Sequence, residues 1–272
     1  MKGSGCRRHI GGMRYFLMCL FAAVAVAQQR EPGKGVNFYS IEKEVALGRQ
    51  LAAEFLRTVK PLENASVLAY VEGIGRRLAA EIGGPLFPYS FTLIADDPTV
   101  LHDIAAFPGG AMFVPASLIR AAKDEDEFAG MLAHAIAHVA SRDGTRLATR
   151  GELMDVAMQP IVFMGGAAGY AMKQGAALAL PMSFLQMRRR MELDADRLAA
   201  AKMAALGYDP AALAQYVERE QASYDANMSE RFSGFPQRTQ RVAAIQSVIA
   251  ELPAREYGPH PEFVKIQEAV GK

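Results

Sequence analysis

Gly130-Met131-Leu132-Ala133-His134-Ala135-Ile136-Ala137-His138-Val139 is the stretch on which the reading of this chain turns. The eight residues around and between the histidines are all apolar or small, and the run predicts a helix. Residues four apart lie on one helix face, one turn from each other, so His134 and His138 are spaced to share one metal ion. The zinc-protease pattern H-E-x-x-H places a glutamate directly after the first histidine. Here that position is Ala135. The sequence thus points to a metal site that lacks the usual general base. The alternative for an isolated pair is two histidines of an amphipathic helix with no ligand.

A second segment weighs against that alternative. Met191-Glu192-Leu193-Asp194-Ala195-Asp196-Arg197 begins beyond a long apolar stretch and predicts a separate helix. Glu192 is placed to supply a third ligand. Asp196, one turn later on the same face, is placed to hold a ligand histidine by its other ring nitrogen. Two histidines and a glutamate around zinc leave one coordination position open.

Working outward, Asp124 is expected to cap the histidine helix, with Glu127 three residues on as its capping-box partner. Ser40 caps a helix from Ile41 to about Val59, and a second runs from Ala65 to Ile82, stopped by Gly83-Gly84-Pro85. Ser90–Ile94 alternates and predicts a strand. Pro108-Gly109-Gly110 is a turn, and Ala111-Met112-Phe113-Val114-Pro115 a short strand whose proline suits an edge or a strand end. Residues 156–185 are almost uncharged and interrupted by glycines. They are expected to form an apolar helical hairpin, buried or touching a membrane surface, or a mobile lid over a cleft. The next helix is expected from near Met182, and a last one from about Arg238 to Glu251.

The N-terminus reads as a secretory signal over residues 1–27. A basic stretch ends at Arg14, an apolar run follows from Phe16, and Ala25-Val26-Ala27 fits a cleavage site. An uncleaved anchor is the alternative, although the run is short for a membrane span. Residues 28–39 look like a flexible lead-in, and 40–272 like one domain. Both cysteines, Cys6 and Cys19, lie in the signal segment, so the remaining chain has neither disulfide nor thiol nucleophile. Without residues 1–27 the chain holds 26 basic and 29 acidic residues, a net charge of −3. That balance argues against nucleic acid as a partner. Export to the periplasm or cell envelope is the expected destination.

These segments together resemble the BepA- and HtpX-like zinc metallopeptidases, metallopeptidase family forty-eight, of the gluzincin type. The residues that carry the resemblance are the motif run 133–139, Glu192 with Ala195-Asp196, the opening helix around Tyr39–Gly48, and Ala106–Val114. Pro236 and Arg241 match the late H-P-x(4)-R element. The resemblance spans roughly residues 36–250. It implies an α+β fold, mostly helical, with a small sheet beside the active cleft. It implies His134, His138 and Glu192 as ligands of one zinc ion. It also implies that an edge strand, Ala111, Met112, Phe113 and Val114, adds an extended or unfolded polypeptide to the sheet. Envelope assembly proteins are further expected partners, and 156–185 a peripheral membrane contact.

The chain departs from that pattern at four positions. Ala135 replaces the general base. Phe235 stands where a helper histidine usually precedes Pro236. Asp143 replaces a frequent histidine, and Asp103 a frequent asparagine. His102, Asp103 and Asp143 are the candidates for a substitute base, although Asp143, five residues beyond His138, is expected to point away. Three functions follow: a zinc- and peptide-binding protein impaired in catalysis, a slow endopeptidase acting on misfolded envelope proteins through another base, or a metal-free structural or assembly protein.

Overall fold

The structure is a computed structural model that describes residues 35–96, 103–163, 166–224 and 236–271, with the side chains of 154–183 and 220–224 excepted. Residues 1–27, read above as a secretory signal, lie outside the described residues, as do His102 and Phe235. So do the side chains of nearly all of the 156–185 stretch.

Helix α1 spans Ile41–Phe55 and α2 spans Ala65–Ile82. Their caps are the expected kind: Ser40 Oγ accepts from the Lys43 N–H and Asn64 Oδ1 from the Val67 N–H. Three strands follow, β1 (Ser90–Ile94), β2 (Ala105–Ala106) and β3 (Ala111–Pro115). Helix α3 covers Ala116–Ala121, and the histidine helix α4 covers Glu125–Ala140. Then come α5 (Asp143–Phe163), α6 (Gly166–Ala205), α7 (Pro210–Tyr224), α8 (Arg238–Ile249) and α9 (Glu262–Ala269). This is the mostly helical α+β fold with a small sheet that the sequence implied. The helix expected from Met182 starts instead at Gly166, within the apolar stretch, and α5 and α6 pack on each other. Among the described residues no helix is long and apolar enough to cross a membrane.

The sheet order is β1-β3-β2, with β1 parallel and β2 antiparallel to β3. Ala111, Met112, Phe113 and Val114 are therefore the central strand, not the edge. The sequence hides this because β2, which flanks β3 on the side away from β1, pairs through two residues only, Ala105 and Ala106, a stretch with no alternation to read. Period-two alternation then divides the sheet's faces. Phe91, Leu93, Met112 and Val114 join the main core under α2 and α4. Ile94 and Phe113 face α1, where Phe55, Phe107 and Phe113 pack with ring centroids 5.0–5.7 Å apart.

Helix α1 reaches the sheet by backbone contact. A Cβ on Gly48 would stand 1.6 Å from the Pro108 carbonyl oxygen, and Gly109 turns at φ 77 against Val45. Only glycine fits either place. The turn at 108–110 that sets β2 against β3 is thus held from beneath by α1. Of the lead-in, Asn37 and Phe38 are anchored, not loose: Asn37 Nδ2 donates to Thr145 Oγ1 at 2.8 Å, and the Phe38 N–H donates to Thr149 Oγ1 at 3.0 Å.

Helix α4 runs through the middle of the core, and Phe128, Leu132 and Ile136 are fully buried on it. A helix apolar on every side can only be stable inside a protein. Asp124 Oδ1 accepts from the Glu127 N–H at 2.9 Å, as expected. The reciprocal bond differs: Glu127 reaches back to the Lys123 N–H, one residue before the cap, and pairs with Arg219 at 2.6 Å.

Candidate metal centre

His134 and His138 project from the one side of α4 that meets α6, and Glu192 comes from α6 to face them. His134 Nε2 and His138 Nε2 are 3.1 Å apart. Glu192 Oε2 lies 3.4 Å from the first and 3.5 Å from the second. These three atoms form a nearly equilateral triangle. A tetrahedral zinc with bonds of about 2.0–2.1 Å separates its ligand atoms by about 3.3–3.4 Å. The donors present thus fit one face of a zinc coordination sphere in type, number and spacing. No other cluster of this kind occurs among the described residues.

Each histidine has a carboxylate behind it. His134 Nδ1 lies 2.9 Å from Asp196 Oδ1, an off-axis approach that is electrostatic more than an aligned hydrogen bond. Asp196 is fully buried and is clamped by Arg241, whose Nε and Nη2 donate to its two oxygens at 2.8 and 2.7 Å. His138 Nδ1 bonds Asp143 Oδ2 at 2.8 Å. Asp143 was expected to point away. It does not, because α4 ends at Ala140 and the chain turns at Arg142, whose φ of 59 brings the next residue back under His138.

The electrostatics follow from this packing. Burial pushes the His138 imidazole down, but Asp143 and Glu192 outweigh it and raise its pKa to about 10. Burial pushes Glu192 up, yet the two histidines hold its carboxyl far below the usual carboxylate range. Burial likewise opposes ionisation of Asp196, and Arg241 with His134 overcomes it. A site that concentrates negative charge against two imidazoles is suited to a cation, which would take the place of the shared protons.

The histidines open onto a cavity of about 370 Å³, lined on one side by His134, Ala135, His138 and Glu192 and on the other by Ile104 and Ala106. Edge strand β2 thus borders the site. The Phe107 N–H donates to the Ala111 carbonyl at 2.9 Å, and antiparallel alternation then turns the N–H and C=O of Ala106 outward, away from β3.

The sequence of this chain matches Peptidase family M48 over residues 65–249. The chain belongs to that metallopeptidase family. The beta-barrel assembly-enhancing protease of Escherichia coli (strain K12) is 26% identical over 214 residues, 75% of this chain and 43% of that protein. The protein of the same name from Yersinia pestis is 23% identical over 235 residues, covering 82% and 46%. A putative beta-barrel assembly-enhancing protease of Vibrio cholerae is 26% identical over 234 residues, covering 82% and 48%. The chain spans less than half the length of these relatives. All three candidate ligands fall within the M48 match.

Within this M48 domain, Ala135 faces the cavity beside His134 with no charge of its own. Asp143 is engaged by His138 and by Arg146 at 3.6 Å. Asp103 lines the cavity and accepts from the Tyr216 hydroxyl at 3.1 Å. Sequence reasoning missed the outward edge at Ala106 and the partnership of Asp143 with His138. Arg142 gave no warning, since glycine or asparagine is the usual sign of a left-handed corner.

Proposed function

We propose that this chain is an exported, zinc-binding member of Peptidase family M48 that holds extended polypeptide beside the metal while hydrolysing it little or not at all. The observation that carries this reading is the combination of an intact ligand triangle with Ala135 at the cavity wall. His134, His138 and Glu192 would hold the zinc, which when bound supplies Lewis acidity toward a peptide carbonyl. Proton transfer from the nucleophile to the leaving amine needs a carboxylate at the cavity wall, and the methyl group of Ala135 cannot do it. Loss of general acid–base catalysis costs about 10²–10⁴-fold. Asp143 is committed to a ligand histidine, which removes it as a substitute.

Polypeptide would add as a strand to the outer side of β2, where Ala106 offers a donor and an acceptor beside the metal. Such pairing uses backbone atoms and tolerates any side-chain sequence, as unfolded clients require. The apolar run before Ala27 supports export to the periplasm, and the names of the relatives point to beta-barrel assembly as the setting.

The test compares zinc-loaded protein lacking residues 1–27 with its Ala135→Glu variant on an unstructured reporter polypeptide. The expected result is binding without cleavage by the natural sequence, and cleavage abolished by chelator for Ala135→Glu. Chelator-sensitive cleavage by the natural sequence would overturn the impaired reading and direct mutation to Asp103 and His102.

A further inference from the structure

We propose that Asp143 is a positioning residue for His138, the counterpart of Asp196 at His134, and that Glu44 of α1 sets it in place through Arg142. The proposal rests on the reading of His134, His138 and Glu192 as metal ligands.

The two halves of the centre have the same order of groups, although the His134–Asp196 approach is off-axis and the Asp143–Arg146 pair longer than Asp196–Arg241. His134 is backed by Asp196 and Asp196 by Arg241; His138 is backed by Asp143 and Asp143 by Arg146. A histidine that offers Nε2 to a metal must carry its proton on Nδ1. A carboxylate at hydrogen-bond distance from Nδ1 selects that tautomer and fixes the ring. Asp143 meets the requirement with Oδ2 at 2.8 Å, while Oδ1 faces the Arg146 guanidinium. It is itself buried, so the bond is not diluted by water.

What brings Asp143 there is a corner. Arg142 is the one non-glycine residue with positive φ among the described residues. A residue with a Cβ adopts that conformation against a steric penalty, so something must hold it. Its Nε donates to Glu44 Oε2 at 2.6 Å, and its Nη2 donates to the Tyr39 carbonyl oxygen. Glu44 is 1% exposed on α1, with Arg142 as its ion-pair partner. The Arg146 N–H then donates to the Arg142 carbonyl at 3.0 Å and begins α5. The first helix of the fold, which contributes no ligand, thereby reaches the metal centre in three links: Glu44 to Arg142, Arg142 to the turn, the turn to Asp143.

Zinc dissociation constants of the protein lacking residues 1–27, measured by competition with a chromophoric chelator, test this together with the visible spectrum of the cobalt(II)-substituted protein. Asp143→Ala is expected to weaken zinc about 10–100-fold and to change the cobalt spectrum, because an untethered His138 ring no longer holds its place. Arg142→Gly takes up the left-handed corner without strain but leaves the buried Glu44 carboxylate without its ion-pair partner, and is expected to lower the melting temperature while binding zinc more tightly than Arg142→Ala does. Arg142→Ala has neither the tether nor the freedom and is expected to lose affinity by roughly tenfold or more. Should Asp143→Ala not fold, Asp143→Asn keeps an acceptor in the same shape without the charge, and a loss of roughly several-fold is expected. A purely structural aspartate would lower the melting temperature of the metal-free protein and leave zinc affinity and cobalt spectrum unchanged; that result overturns the positioning role. Unchanged affinity in Arg142→Ala overturns the link to Glu44. A natural protein that binds no zinc at all overturns the metal reading first, and this proposal with it.

Discussion

Nε2 of His134 and Nε2 of His138 face each other at 3.1 Å, each with a carboxylate behind its ring. If both Nδ1 atoms are protonated, the facing nitrogens are acceptors aimed at one another and at Glu192. That cluster of lone pairs is unfavourable unless a proton or a cation lies between them.

Zinc should therefore stabilise the folded chain. At a free concentration about 100 times its dissociation constant, the gain is about 2.7 kcal/mol. For a chain of this size that is a rise in melting temperature of roughly 5–10 °C. Thermal unfolding with zinc and with excess chelator checks this; a melting temperature indifferent to both would remove the metal from the reading.

Zinc affinity should depend on pH in a stated direction. The folded metal-free protein keeps His138 protonated up to about pH 10, above the ordinary histidine range, because Asp143 and Glu192 outweigh burial. The proton's contribution to stability is full below about pH 6.5 and lost as pH rises toward 10. Glu192, depressed by the histidines, contributes above its ordinary pKa near 4.5 and loses that contribution only in acid. The metal must displace the His138 proton, so apparent zinc affinity should rise up to about tenfold per pH unit between roughly pH 7 and 10. Calorimetry in buffers of different ionisation heat should find about one proton released. Flat affinity across that range would contradict the assignment.

Arg241→Ala should be costly far beyond a surface change. Asp196 is fully buried, and Arg241 supplies both of its strong hydrogen bonds. Removing one partner of a buried pair costs about 3–5 kcal/mol. Urea unfolding of the metal-free variant measures it, and a loss under about 1 kcal/mol would mean that water replaces the guanidinium.

Gly48→Ala should disturb the sheet and displace the helix that carries Glu44. Its Cβ would overlap the Pro108 carbonyl, so α1 and the 108–110 turn must separate. Such overpacking costs about 1–3 kcal/mol. The same comparison by denaturant reads it; an unchanged midpoint would show that α1 shifts freely on the sheet.

Much of the centre is legible in the sequence. The i, i+4 histidines predicted a helix with both rings on one face, spaced for one metal, and α2 and β1 fall on the residues their patterns marked. Glu192 and Asp196 were legible because a helix repeats its face every turn. Asp143 was not, because helical periodicity holds only while α4 continues, and the helix ends at Ala140 before an arginine in a left-handed corner.

What the sequence by itself determined is the chemistry: which side chains can bind a metal, that position 135 carries a methyl group where a carboxylate would be needed, and that the two histidines share one face of a helix. These follow from residue type and local spacing, which the chain carries with it everywhere. Tertiary structure alone decided that β3 is central and β2 the edge, that Asp143 returns to His138, and that Glu44 governs the corner. Those facts depend on contacts between residues about 100 apart, such as Glu44 and Arg142, and on a two-residue strand too short to have a pattern. Their energy comes from burial and charge pairing that exist only once the chain has folded.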